Sequence, residues 1–236
     1  MATIDFNYDG KFVLTGSFDG TVKVWDVSTG ALVCQLEGPE DIEWCEWHSK
    51  GNAIVAGSRD GTCWMWLTNN TVANPNATVG AGQCVQVFAG HDGAVTAGCF
   101  TSDGKLVCTG GEDGCVRVWA PKTGICKQVF EDHTGHASVV TCLVSHPTDS
   151  DLLLSGSMDG SMLLLQISTS RVLQRFVHST APLEAPPGRC VCMLWYSVRI
   201  VCMHTYMVGF RVVTTHPWTN NPVNTSPVAL ISHFAR

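Results

Sequence analysis

LVCTGGEDGCVRVWA, residues Leu106–Ala120, is the stretch on which the fold turns. An apolar run leads into small residues, then Glu112, then Asp113-Gly114, and a second run alternates Val116 and Val118 with Arg117 before Trp119. Asp-Gly between two β-type runs predicts a hairpin, because glycine accepts positive φ and the aspartate can bond to nearby backbone amides. The same pattern recurs in FVLTGSFDGTVKVWD (Phe12–Asp26), AIVAGSRDGTCWMWL (Ala53–Leu67) and LLLSGSMDGSMLLLQ (Leu152–Gln166). The turn glycines are Gly20, Gly61, Gly114 and Gly160, spaced 41, 53 and 46 residues apart. Further short apolar stretches flank each hairpin, among them AVTAGCF (Ala94–Phe100) and VVTCLVS (Val139–Ser145) upstream, and CVQVFAG (Cys84–Gly90) and CKQVFED (Cys126–Asp132) downstream. Four short strands per period of about forty residues are the signature of a propeller blade. No stretch of helical length carries the 3.6-residue period. The expected fold class is all-β: a partial β-propeller of about four four-stranded blades, residues 1–173, followed by an irregular C-terminal tail, 174–236.

Composition agrees with a packed core. Apolar residues make up 45% of the 236 and charged residues 14%, which excludes a disordered polyelectrolyte. The net charge of −6 argues against direct, non-specific nucleic-acid binding, which needs a basic face. The charge is uneven: residues 1–184 carry −10, whereas 185–236 carry +4 from Arg189, Arg199, Arg211 and Arg236, with no Asp, Glu or Lys. The tail has no Asp-Gly hairpin, no Gly-His pair and no Trp-Asp, so it is expected to be poorly ordered or the product of altered coding. Its apolar run from Val191 to Val213 is long enough to span a bilayer, but Arg199, His204 and Arg211 interrupt it, and no membrane association is expected. The chain opens MATIDFNYDG, without a basic segment followed by an apolar one. The twelve cysteines are therefore read as reduced, space-filling thiols of a cytoplasmic protein, with the nucleus as a second compartment. Cys190-x-Cys192 lacks a second ligand pair, so no metal site is expected there.

Asp-Gly followed five residues later by Trp25-Asp26, together with Gly90-His91 and Gly135-His136, resembles WD repeats. The resemblance implies a hydrogen-bonded clamp of His, Ser/Thr, turn Asp and Trp inside each blade. The third repeat has the full set, His91, Thr109, Asp113 and Trp119. The first has Thr15, Asp19 and Trp25. The second has Asp60 and Trp66, but Pro39 and Ala56 in the other two positions. The fourth has His136, Ser155 and Asp159, with Leu165 replacing Trp. The aromatic string Ile42-Glu43-Trp44-Cys45-Glu46-Trp47-His48, with Trp64-x-Trp66, is similar to the angio-associated migratory cell protein family over roughly residues 1–175. That resemblance implies closed propellers with more blades than this chain supplies. It also implies two kinds of role: a fungal relative chaperones a newly made large-subunit ribosomal protein by its basic segment, and vertebrate members act as signalling or cytoskeletal adaptors in cell migration.

Chemical motifs are missing: there is no Gly-x-Ser-x-Gly, no Gly-x-x-x-x-Gly-Lys-Ser/Thr, no His-Glu-x-x-His and no Gly-x-Gly-x-x-Gly. No cofactor and no enzyme activity are expected. Binding is expected at the end of the blades where the inner strands begin and the residue before each turn Asp projects. By repeat position this end gathers Phe18, Asp41, Glu43, Arg59, Thr96, Glu112 and Met158, with Trp44 either a stacking surface for Lys or Arg, or a second core aromatic. Glu37, Glu40 and Glu46 add to the acidic count of these blades. A negative patch of this kind would steer a basic protein segment.

Overall fold

In each repeat the Asp-Gly pair makes the same turn. The carboxylates of Asp19, Asp60, Asp113 and Asp159 accept the amide N–H two residues on, from Thr21, Thr62, Cys115 and Ser161, at 2.8–3.0 Å. The glycines that follow adopt φ of 73–86°. The computed structural model describes residues 3–68, 80–131, 134–177, 191–196 and 199–204. The described residues form strands and connecting turns, without a helix.

The first blade is β1 (Thr3–Phe6), β2 (Phe12–Gly16), β3 (Thr21–Asp26) and β4 (Leu32–Glu37). The second is β5 (Ile42–Trp47), β6 (Ala53–Ser58), β7 (Thr62–Leu67) and β9 (Gln83–Ala89). Between β7 and β9, the two-residue β8 (Gly80–Ala81) pairs in parallel with β4, extending the first sheet at its outer edge. The third blade is β10 (Val95–Phe100), β11 (Val107–Gly111), β12 (Val116–Trp119) and β13 (Cys126–Phe130). The fourth is β14 (Val140–Ser145), β15 (Leu152–Ser157), β16 (Ser161–Gln166) and β17 (Arg171–Val177). Every pairing within the four blades is antiparallel, and the registers repeat: Leu14↔Val24, Val55↔Met65, Cys108↔Val118 and Leu154↔Leu164. Bulges repeat as well, between Ile42 and Trp44, Val95 and Ala97, and Val140 and Cys142 at the start of the inner strands. The same count of residues therefore meets the same local geometry four times, as the sequence period predicts.

The blades stack through their inner strands, β1 on β5, β5 on β10 and β10 on β14. Since both faces of a middle blade are covered, its strands alternate less than those of a one-sided sheet, and β11 is buried throughout. Apolar layers fill the gaps. Leu14, Val22, Val24 and Leu36 meet Ile42, Ile54 and Trp66 between blades 1 and 2. Val55, Met65 and Phe88 meet Val95, Val107 and Trp119 between blades 2 and 3. Cys108, Val116, Val118 and Phe130 meet Val140, Leu153, Leu163 and Leu165 between blades 3 and 4. The described arc is not closed into a ring.

Beyond β17, the described residues form an antiparallel hairpin, β18 (Val191–Tyr196) and β19 (Arg199–His204), and β18 lies alongside β14. The rest of the tail, including Cys190, Arg211 and Arg236, lies outside the described residues. No described helix is long and apolar enough to cross a membrane.

Candidate functional site

The end of the blades that carries the turns is built by backbone bonds. Arg59 donates its N–H to Asp41 O at 3.0 Å, Glu112 to Ala94 O at 2.9 Å and Met158 to Val139 O at 3.0 Å. The residue before each turn Asp is thereby fixed against the start of its own blade's inner strand. Each turn also abuts the next blade. A Cβ on Gly20 would meet Pro39 O at 2.9 Å, one on Gly61 would meet His91 O at 2.9 Å, and one on Gly114 would meet His136 O at 2.6 Å. Glycine is required here for the close approach as much as for φ. These contacts bring Phe18, Asp41, Glu43, Arg59, Glu112 and Met158 to one end of the stack.

Charge on this rim is partly compensated within the chain. One nitrogen of the Arg59 guanidinium lies 3.1 Å from Glu43 Oε1 and the other 4.0 Å from Asp41 Oδ2, with the Arg59 side chain still 63% exposed. Glu112 is exposed and its Oε2 accepts the Ala94 N–H at 3.3 Å. Phe18 and Met158 are exposed apolar side chains at the equivalent positions of blades 1 and 4. Four charged groups, three acidic and one basic, therefore sit between two apolar knobs.

Of the residues counted with this surface, Trp44 and Glu46 do not line it, and the Thr96 hydroxyl is engaged within the fold. Trp44 is buried: its ring fills the space over Gly57 and Gly98, where any Cβ would overlap it, so it is a core aromatic between blades 2 and 3 and offers no stacking face. The Thr96 hydroxyl donates across the blade boundary to Val140 O at 2.5 Å, which makes it a tie between inner strands. Glu46 lies at the opposite end of β5, where its Oε1 accepts the Phe100 N–H at 3.3 Å. Burial, with the Asp5 carboxylate as a second cause, pushes its pKa up to about 8.

Inside blade 3 the clamp is complete. His91 Nδ1 lies 3.0 Å from both Asp113 oxygens and Nε2 lies 2.8 Å from Thr109 Oγ1, while Trp119 Nε1–H donates to Thr109 Oγ1 at 2.8 Å. Burial works to raise the Asp113 pKa, but the hydrogen bond and charge of His91 with two backbone amides outweigh it and hold the group at about 2. Blade 4 departs at the Trp position, and Ser161 enters instead. His136 Nε2 lies 2.7 Å from Ser155 Oγ and Nδ1 lies 3.0 Å from Ser161 Oγ, with Asp159 Oδ2 at 3.5 Å. Burial lowers the His136 pKa despite that carboxylate. In blade 1, Trp25 Nε1–H still reaches Thr15 Oγ1 at 2.9 Å, whereas Asp19 serves its turn through Thr21. In blade 2, where Pro39 and Ala56 take the His and Ser/Thr positions, Trp66 Nε1–H donates to Glu37 O at 3.3 Å and Asp60 holds Thr62. These groups are used up in holding blades together.

Sequence reading missed a ladder between inner strands. Asp5 Oδ2 accepts the Trp47 N–H at 2.9 Å and Glu46, its repeat equivalent, accepts the Phe100 N–H. Its signal was an acidic residue at the same inner-strand position in two repeats.

Residues 2–26, 30–66, 82–120 and 124–164 match the family described as WD domain, G-beta repeat. The chain is 34% identical over 183 residues to the angio-associated migratory cell protein of Homo sapiens, a match that covers 78% of this chain and 39% of that protein. It is 25% identical over 179 residues to the ribosome biogenesis protein WDR12 homolog of Drosophila persimilis, covering 67% of this chain and 40% of that one. It thus spans about two fifths of the length of these relatives. Among solved structures, a chain from a crystal structure of the mitotic checkpoint complex superposes with a TM-score of 0.67 at 22% identity, covering 85% of this chain and 56% of that one, which is a likeness of fold. Four matched repeats, four sheets with one register and an intact His-Thr-Asp-Trp clamp make this chain a member of the WD-repeat family.

Proposed function

We propose that this chain is a non-catalytic WD-repeat scaffold whose turn-side rim holds a basic segment of a partner protein, in the manner of a chaperone for a newly made ribosomal protein, in the cytoplasm and the nucleus. The observation that carries the reading is the gathering of Asp41, Glu43 and Glu112 at one end of the stack, with Arg59 beside the first two. Repulsion-free docking of Lys or Arg side chains needs such a surplus of carboxylates, and the exposed Phe18 and Met158 give the stems of those side chains apolar ground on either side. Similarity to a ribosome biogenesis protein supports the ribosomal assignment of the partner.

The test is binding of a Lys/Arg-rich peptide at rising salt, with an Asp41→Asn, Glu43→Gln, Glu112→Gln variant beside the parent. Asn is chosen at 41 because Asp41 has φ of 55°, a conformation Asn tolerates. The expected outcome is affinity that falls steeply with salt in the parent and is weak and salt-insensitive in the variant. Equal binding by both proteins at every salt concentration overturns the reading in favour of an adaptor that engages a neutral partner through Phe18 and Met158.

A further inference from the structure

The ladder between inner strands changes its chemistry at blade 3. Asp5 and Glu46 occupy equivalent positions and accept the amides of Trp47 and Phe100. The residue at that position in β10 is Cys99, whose sulfur accepts the Ser145 N–H of blade 4. In register, Cys99 stands opposite Cys108 of β11, where Asp5 meets Leu14, Glu46 meets Val55 and Val144 meets Leu154. Among the described strand pairings this is the one place where two cysteines are direct partners. Both lie in the apolar layer between blades 3 and 4, 4% and 0% exposed, so they stand on the same face of the sheet. Their thiols share a hydrogen bond.

Two residues further along the same pairing, Thr101 donates its N–H to Leu106 O at 3.0 Å. Hydrogen-bonded pairs alternate along an antiparallel ladder, so Cys99 and Cys108 are also such a pair, with Cα atoms about 5.5 Å apart. Disulfides span Cα separations of roughly 4.4–6.8 Å. We propose that Cys99 and Cys108 are an oxidisable pair that closes into a cross-strand disulfide on exposure to a peroxide, and that closure releases the Ser145 amide of blade 4. One thiolate attacks a peroxide oxygen, the O–O bond breaks, and the departing hydroxide takes up the thiol's proton and leaves as water. The second thiol attacks the sulfenic sulfur so formed, the S–O bond breaks and a second water leaves. Two thiols lose two electrons and one hydrogen peroxide is reduced to two waters. Opposed Cβ atoms in a sheet are about 4.5–5.5 Å apart, against about 3.8 Å in a disulfide. Closure therefore draws the Cys99 sulfur toward β11 and off the β14 amide. The hydrogen bond to Cys108, together with burial, pushes the Cys99 thiol well above its ordinary range. Thiolate is thus scarce and the reaction slow. Enclosure between the blades then shields the bond from bulky reductants, so the pair answers sustained peroxide and not a brief pulse.

The test treats the full chain with hydrogen peroxide, alkylates the remaining thiols and maps disulfides by mass spectrometry. Trypsin cuts after Lys105, between the two cysteines, so a linked pair of peptides reports the bond and fragmentation places it. The expected result is a Cys99–Cys108 link that dithiothreitol reverses. As a share of all disulfides formed, it is expected to be several-fold larger in the folded protein than in protein unfolded in guanidinium, where no register pairs these residues. Amide exchange of the β14 segment that contains Ser145 is expected to be several-fold faster in the linked protein. Cys108→Val, the residue blade 2 carries there as Val55, is expected to keep its far-ultraviolet circular dichroism and to lose both effects. Cys115→Ser, the residue blade 4 carries there as Ser161, is expected to retain them. No link after sustained peroxide, an equal share in folded and unfolded protein, unchanged exchange at Ser145 beside a formed link, or faster exchange in peroxide-treated Cys108→Val overturns the proposal. If Cys108→Val loses its β spectrum, Cys99→Val, matching Val144 of blade 4, decides by the same mapping.

Discussion

Two carboxylates on one strand have different surroundings. Glu43 meets the Arg59 guanidinium near water, whereas Glu46 is enclosed between blades 2 and 3 with Asp5 nearby. A group whose folded-state pKa is raised contributes no penalty below its unfolded value, and stability is lost as pH rises toward the folded value. For Glu46 that window runs from its model-compound range of 4.5 up to about 8. Glu46→Gln keeps the acceptor for the Phe100 amide and removes the charge. It is therefore expected to leave stability unchanged at acid pH and to raise it by about 2 kcal/mol near pH 8, a figure reduced for the water that still reaches the group. Urea unfolding at both pH values reads this directly. Asp113 runs the other way: its depressed pKa contributes stability above the usual carboxylate range that is lost as pH falls toward about 2. Arg59 is the third case. Arg59→Ala frees Asp41 and Glu43 from their cation, and a Lys/Arg-rich peptide is expected to bind the variant several-fold tighter at low salt, an increase that calorimetric titration would show vanishing at high salt.

At the scale of the strand and turn, the four Asp-Gly hairpins share one conformation but not one environment. Gly114 and Gly160 have φ of 73° and 79°. A Cβ on Gly114 would press on backbone oxygens of His136 and Ser138, while one on Gly160 would meet open space. Gly160→Ala is therefore expected to cost about 1 kcal/mol, the strain of positive φ in a residue with a side chain. Gly114→Ala adds a backbone collision that only a shift of blade 4 relieves, and is expected to cost about 3 kcal/mol. Chemical denaturation of the two variants measures the difference, and equal losses would mean that the turn of blade 3 does not rest on blade 4. The Trp44 position belongs here too. Gly57 and Gly98 leave room for its indole, so a ring that the sequence places beside acidic residues is drawn into the layer between two sheets.

Over the whole molecule, each blade is stabilised mainly by its neighbours, so stability should depend on place in the arc. Hydrogen exchange is expected to be slowest for the amides of β10 and β11, which are covered on both sides, and faster for β1, which carries exposed Ile4 and Phe6. Mass-spectrometric exchange resolves this, and protection of β1 equal to that of β11 at dilute concentration would contradict it. The acidic rim is likewise a property of the stack: Glu43 and Glu112 are 69 residues apart in the chain and share an end only because blade 3 repeats the register of blade 2.

The sequence by itself determined the blade. A forty-residue period, alternating apolar positions and Asp-Gly turns are local quantities, and each is read from a few adjacent residues without knowledge of the rest of the chain. His91, Thr109, Asp113 and Trp119 were legible for the same reason, since their separations are those of one folded unit. What only the tertiary structure decided lies between blades: that Trp44 is enclosed, that Thr96 ties two inner strands, that Glu46 faces the far end, and that Arg59 spends its charge on Asp41 and Glu43. Residues of two sheets meet across a gap whose width and contents depend on every side chain in it, and no spacing along the chain records that.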